Sequence, residues 1–238
     1  VFPDDENVKN YSHGMFQSVY DYPYLSSSAN HIFDLTFGAA SGSVTTTTSE
    51  QFTKKRNVYN QMAQVLMGYD ATGSIQQFDE DGDLLLGVGG GAKMKEIFIM
   101  PITRLLSKDE IKKETFELVL GTGSYNASAQ PFTAANRVTI TDLGASTSYK
   151  VNSPAGDYGI LYATGSAMNT SSTHKITNSA GDVYWNAGLI FYQAGIVVLT
   201  GSIFGTQLQH PVDSIDGTHS GIIASITGSN IDSLSNGL

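Results

Sequence analysis

From Arg137 onward the sequence is written as short apolar runs separated by turn phrases, and that rhythm limits the fold more than any other feature. RVTITDLG, SYKVNS, YGILYATGS, THKITNS and GLIFYQAGIVVLTGSIFG follow one another with Gly, Asn, Asp and Ser between them. Runs rich in β-branched and aromatic residues, bounded by such turns, predict strands; several in succession predict a sandwich or a set of β-hairpins. One phrase is written twice. NSPAGDYGILY starts at Asn152 and NSAGDVYWNAGLIFYQAGIVVL at Asn178. Asn and Asp accept hydrogen bonds from nearby backbone N–H groups and Gly supplies positive φ, so each phrase predicts a turn that launches a buried strand. Two copies are too few for a solenoid. With THKI between them, they predict adjacent strands of one sheet.

The first half holds fewer strands and one helix. HIFDLTFG, from His31 to Gly38, alternates, with Phe33, Leu35 and Phe37 on one face and Ile32 on the other. SEQFTKKRNVYNQMAQVLMG places Phe52, Tyr59, Met62, Val65 and Leu66 at three- and four-residue steps, which predicts an amphipathic helix near 50–67 lying on a sheet. Ser49 is its expected N-cap and Gly68 its C-terminal cap. Lys54, Lys55 and Arg56 read as the polar face of its first turns. YDATGSIQQFDEDGDLLLGVGGGAKMKEIFIMPITRLL reads as a short strand, an acidic turn, a glycine-rich loop and a strong strand, and IFIMPI within it as a strand at an edge or bent at Pro101, because proline cannot donate to a ladder. SKDEIKKE is a helical turn or a β-connection before the strand TFELVLG, and TGSYNASAQPFTAANR is a loop. The fold class expected is mainly β (α+β): an antiparallel β-sheet or sandwich with one main amphipathic helix. Residues 1–30 read as an extended aromatic N-terminal arm, 31–216 as the β-rich domain, and 217–238 as a C-terminal interaction tail.

Composition excludes several functions. Of 238 residues 40 % are hydrophobic and only 15 % charged, with a net charge of -9. Weakly charged polar surfaces desolvate easily and suit permanent assembly. Phosphate binding needs a clustered basic face, so nucleic acid is not expected as a partner. Cysteine is absent, which removes disulfides, thiolate metal sites and cysteine nucleophiles. No apolar run is long enough to span a membrane as a helix, and VFPDDENVKNYSHG lacks the basic start and apolar centre of a signal peptide. A chain that opens on Val1 fits a processed or partial one.

No motif supplies chemistry. Asp79, Asp81 and Asp83 in FDEDGDL are spaced like calcium ligands, but a loop counted from Asp79 has its glycine, Gly82, at position 4 instead of 6 and Gly90 where a glutamate belongs. A solvated hairpin turn is the expectation, and no metal, catalytic or cofactor-binding residue is assigned. GVGGGAK, Gly87 to Lys93, lacks the Lys-Ser/Thr ending of a phosphate loop, and GTGSYN at Gly121 is as weak. His13, His31, His174, His210 and His219 show no ligand spacing. G-x-S-x-G is missing. A glycosidase-like carboxylate pair depends on meetings in space that sequence does not give, and the single Trp185 is little for a carbohydrate platform.

Three segments carry a resemblance: YPYLSSSANHIFDLTFG, KKRNVYNQMAQVLMGYDATG and NSAGDVYWNAGLIFYQAGIVVL. Together they resemble a virion structural protein of T4-like tailed phages, notably those of marine cyanobacteria. The resemblance implies a part of the tail, baseplate or neck, present in several copies in the virion. Its partners would be copies of itself and other virion proteins, with no cofactor and no catalytic residue. It also implies a longer protein, with SNIDSLSNGL ending a truncated or partial chain. The arm and the tail are the expected inter-subunit contacts. The alternative is a host-surface adhesin or carbohydrate-binding module, favoured by the Tyr and Asn/Ser-rich loops; a hydrolase ranks third.

Overall fold

The computed structural model describes residues 6–11, 15–40, 50–84, 93–103, 109–121, 137–165 and 175–204. The proposed cap Ser49, most of the glycine-rich loop, most of GTGSYN, four of the five histidines and the tail 217–238 lie outside them. Ten strands form one antiparallel sheet: β1 (Val8–Asn10), β2 (Phe16–Tyr20), β3 (His31–Ala39), β4 (Glu96–Pro101), β5 (Glu117–Gly121), β6 (Arg137–Thr141), β7 (Tyr158–Gly165), β8 (Lys175–Thr177), β9 (Val183–Phe191) and β10 (Ile196–Thr200). Their order is β1-β2-β3-β4-β10-β9-β7-β6-β5, with β8 paired to β9. The described residues thus lay down two meanders, and the last described strand, β10, docks on β4 of the first, with Val198 opposite Ile99. α1 (Glu50–Leu66) crosses from β3 to β4; α2 (Ala145–Ser148) is a single turn after β6.

The central strands show why the sequence forms this sheet. In β4, Ile97 and Ile99 join the core under α1, whereas Phe98 and Met100 join the core of the opposite face. In β10 Val198 faces α1, and Val197 and Leu199 face away. Strands covered on both sides read as unbroken apolar runs, as EIFIM and IVVL do. β4 is therefore a central strand, which removes the edge strand as one of the two readings of its proline. Pro101 is its last residue, opposite Ile196, and the next amide, Ile102, donates to Gly195 O at 2.8 Å. The missing N–H falls where the ladder ends.

The doubled phrase does what its chemistry dictates. Asn178 Oδ1 accepts from the amides of Ala180 and Asp182, both at 2.9 Å, and closes the β8–β9 turn. Ser153 Oγ accepts from Ala155 N at 3.0 Å in the turn before β7. The strands launched, β7 and β9, pair directly. SYKVNS is not a strand: its first residues close α2, and only Lys150 bridges to Tyr158. Ahead of the acidic turn, Tyr69 likewise makes a single bridge, to Ile75.

α1 packs through Tyr59, Ala63 and Leu66, all buried, with Val58 and Met62 beside them. Tyr59 Oη donates to Met94 O at 2.7 Å and accepts from Phe78 N at 3.2 Å. Gly38 lets the helix approach, because a Cβ there would lie 3.1 Å from Tyr59 Cα. Gly68, at φ 79°, ends the helix as expected. Two expectations fail. Val65 is 64 % exposed, because the core stripe runs through Ala63 instead. Lys55 is buried rather than part of a polar face.

Burial pushes the Lys55 amine down from 10.5 to about 8. The unfolded chain therefore binds more protons between those values, and stability rises with pH across that window. Above about pH 10 the trend reverses, since burial raises Tyr158 to about 12 and the folded chain then holds the extra proton. Lys55→Met is expected to stabilise the fold at pH 7 by ~1–3 kcal/mol and to flatten the rise between pH 8 and 10. Urea melts at pH 7, 8, 9 and 10 measure both; a variant no more stable than the parent at pH 7 contradicts this account.

Candidate functional site

Three places gather polar chemistry among the described residues. The first is the acidic turn. Oxygens of Asp79, Asp81 and Asp83 lie within 4.8 Å of one another. Asp79 Oδ2 accepts from Leu84 N at 2.9 Å, and Asp81 Oδ1 from Asp83 N at 3.2 Å. Leu84, at φ 64°, adopts the left-handed conformation at the position where calcium loops carry glycine. A cation is already supplied by the chain, because Lys93 Nζ sits 2.6 Å from Asp79 Oδ2. Burial pushes the Asp79 carboxyl upward, and Lys93 opposes that shift. Neighbouring Glu80 turns the other way: its carbonyl accepts from Asn186 Nδ2 at 3.0 Å, and its carboxylate meets the Thr200 and Ser202 hydroxyls at 3.4 Å each. The turn is thereby anchored to β9 and β10.

The second is a cleft of about 380 Å³ between residues 114–117 and 141–144. At its base Asp142 is buried, and its carboxylate accepts from Glu114 N at 2.7 Å, Phe116 N at 3.1 Å and Tyr192 Oη at 3.0 Å. Glu114 is held at φ 64°. Burial raises both the Asp142 carboxyl and the Tyr192 phenol. Alongside, Lys113 pairs with Asp157 at 3.0 Å and lies over the Tyr149 ring at 4.6 Å. Three donors converge on Asp142, so its role is to clamp the turn before β5 onto the end of β6.

The third is a string of side chains on and beside β1, β2 and β3, with Ser18 buried and the aromatic residues half-buried. Period-2 alternation puts Phe16, Ser18 and Tyr20 on one face. The Phe16 and Tyr11 ring centres are 4.7 Å apart. Ser18 Oγ lies 3.4 Å from Tyr11 Oη and donates to Asp34 Oδ1 at 2.6 Å. His31 Nε2 reaches the same oxygen at 2.8 Å. The His31 ring lies 5.5 Å from that of Tyr20, which lies 6.3 Å from that of Tyr24. Ser, His and Asp meet here in the wrong order for hydrolysis. A nucleophilic serine needs the histidine between it and the carboxylate, whereas Asp34 stands between Ser18 and His31.

The sequence singled out the acidic turn and left the other two unread. Asp142 carries no motif, and its partners come from residues far along the chain. The aromatic string was legible as Tyr11, Phe16, Tyr20 and Tyr24, but it read as an arm; the residues of 1–30 that the structure describes supply β1 and β2 of the common sheet. Trp185 packs against the core and belongs to none of the three places. Compared with family models, curated proteins and solved structures, the chain finds no match in any of the three.

Proposed function

We propose that this chain is a structural component of a tailed-phage virion, in the tail, baseplate or neck, and that it acts by assembly with other virion proteins and copies of itself. The resemblance of its three segments motivates the reading. One observation carries it: among the described residues eight large apolar side chains stand exposed, and five of them lie at the β2–β3 tip and by the end of α1. At the β2–β3 tip Leu25 is 86 % and Tyr22 58 % exposed. At the end of α1, Val65 and Tyr69 are exposed, and so is Val151. The segment that carries Val151 is held there by the bond from Ser153 Oγ to Leu66 O. Each such side chain gains ~1.5–3 kcal/mol when a neighbour covers it.

The test is incorporation. Tyr22→Ser with Leu25→Ser, and separately Val151→Asp, remove exposed contacts, so the melting temperature should stay within about 2 °C of the parent. Supplied in trans during particle formation, each variant is expected to enter particles at least tenfold less than the parent chain. Equal incorporation of both variants contradicts the proposal.

A further inference from the structure

We propose that β5 is a docking edge for a second copy of this chain, which it pairs antiparallel across a two-fold axis. The inference rests on the assembly reading in that it names one contact between copies. Its test uses the purified chain, so it can fail while the incorporation test still stands, and the reverse.

The backbone makes the edge. β5 ends the sheet and pairs only with β6 among the described residues, in regular register from Glu117 opposite Thr141 to Gly121 opposite Arg137. Its outer side is therefore a row of N–H and C=O groups of the kind that an added strand completes. Edge strands are commonly blunted by shortness, lysine, proline or a bulge. β1, at the other end of the sheet, has three residues with Lys9 in the middle. β5 has five, ELVLG, with neither lysine nor proline and without a register shift.

The side chains choose the occupant. Leu118 and Leu120 are half-buried against the core, and alternation puts Glu117, Val119 and Gly121 on the other face. Two β5 strands paired antiparallel about Val119 match all five residues of each. Leu118 then stands opposite Leu120 of the second copy, which continues the apolar face from one sheet into the next. Glu117 stands opposite Gly121 of the second copy, so the two glutamates are kept apart. Behind that glycine, on β6, stands Arg137. Glu117 of one copy falls in one row with Gly121 and Arg137 of the other, on one face, at two strand spacings or ~10 Å from the arginine. The glycine puts no side chain between them, and the two long side chains reach across it. Symmetry makes the contact twice. Within one copy the same two residues do not meet, because they lie at opposite ends of the β5–β6 ladder, four residue steps or ~14 Å apart along the strands. Both are exposed, and neither has an ion-pair partner among the described residues. Two copies, each of net charge -9, repel at a distance; the Glu117–Arg137 match is what favours this edge as the point of approach.

Sedimentation of the purified full chain from ~10 µM to ~1 mM is expected to show a monomer–dimer equilibrium with a Kd of ~10–300 µM. It is weak because five paired residues cover far less than the about 800 Å² that each partner gives to a stable interface. Glu117→Arg and Arg137→Glu, each alone, put like charges across the glycine. Each should weaken dimerisation at least tenfold at an unchanged melting temperature, since both side chains are exposed. Mixed in equal amounts, the two variants should form a heterodimer at the parent's affinity, because each offers the charge that the other lacks. Should a single variant lower the melting temperature, the mixture decides. The Tyr22→Ser, Leu25→Ser chain, altered at the β2–β3 tip, should dimerise like the parent. The proposal is overturned by a monomer throughout, by dimerisation of either single variant at the parent's affinity, or by a mixture that associates no better than its parts. A dilute monomer in which all five β5 amides resist hydrogen exchange also overturns it, because another segment of the same chain then covers the edge.

Discussion

Gly188→Ala should unfold this protein or come close to it. Gly188 lies in β9, between Leu199 of β10 and Leu161 of β7. The β7 register slips immediately beside it, so that Ala187 is the extra residue of a bulge. Its φ is 153°, and a Cβ would stand 2.0 Å from Val198 O and 2.8 Å from Leu199 Cα. Both obstacles are backbone in the most buried part of the sheet, so neither can move aside cheaply. The expected cost is ~4 kcal/mol or more, a large share of a stability of ~5–15 kcal/mol. For a chain of this size that lowers the melting temperature by ~8–16 °C. Gly181→Ala is the control, with φ 90° but no atom within 4 Å of the added Cβ; strain alone costs ~1–2 kcal/mol there. A Gly188→Ala protein melting within about 2 °C of the parent would show that the sheet is not pinched at this point.

Asp142→Ala ranks second. It strips the acceptor from three donors at once: the amides of Glu114 and Phe116 and the buried phenol of Tyr192. A buried donor left unpaired costs ~1–3 kcal/mol. Loss of the Asp142 carboxylate is thus expected to cost ~3–5 kcal/mol in total, because the strained Glu114 also loses the bond that holds it. Asp142→Asn keeps one acceptor oxygen and should fall between. Chemical denaturation of the two variants orders them. Hydrogen exchange adds a sharper readout, since Glu114 and Phe116 amides should lose protection in Asp142→Ala while β4 and β10 amides keep theirs. Equal stability of parent and alanine variant would remove the clamp from the account.

Much of the fold was legible because local chemistry and burial agree. Apolar runs bounded by Asn, Asp and Gly became strands, and the doubled phrase became two paired strands, since turn residues and β-branched residues act within a few positions of themselves. What failed to show was decided at a distance. Pro101 left an edge strand or a bent one open, yet β10, almost a hundred residues later by its numbering, covers that strand and leaves the proline at the ladder's end. Lys55 read as polar surface because its charge, not its place over the sheet, is what a sequence displays. The candidate sites divide in the same way. The acidic turn is contiguous and was found from spacing. Asp142 with Tyr192, and Asp34 with Ser18 and Tyr20, are assembled by strand pairing, so alternation gave their faces but not their partners.

The assembly reading is tested most directly by immunogold electron microscopy of intact and mildly disrupted particles, with antibody raised against this chain. The account predicts gold at one fixed position on the tail, baseplate or neck, repeated from particle to particle. Gold on host cell surfaces, with none on intact or disrupted particles, would contradict it.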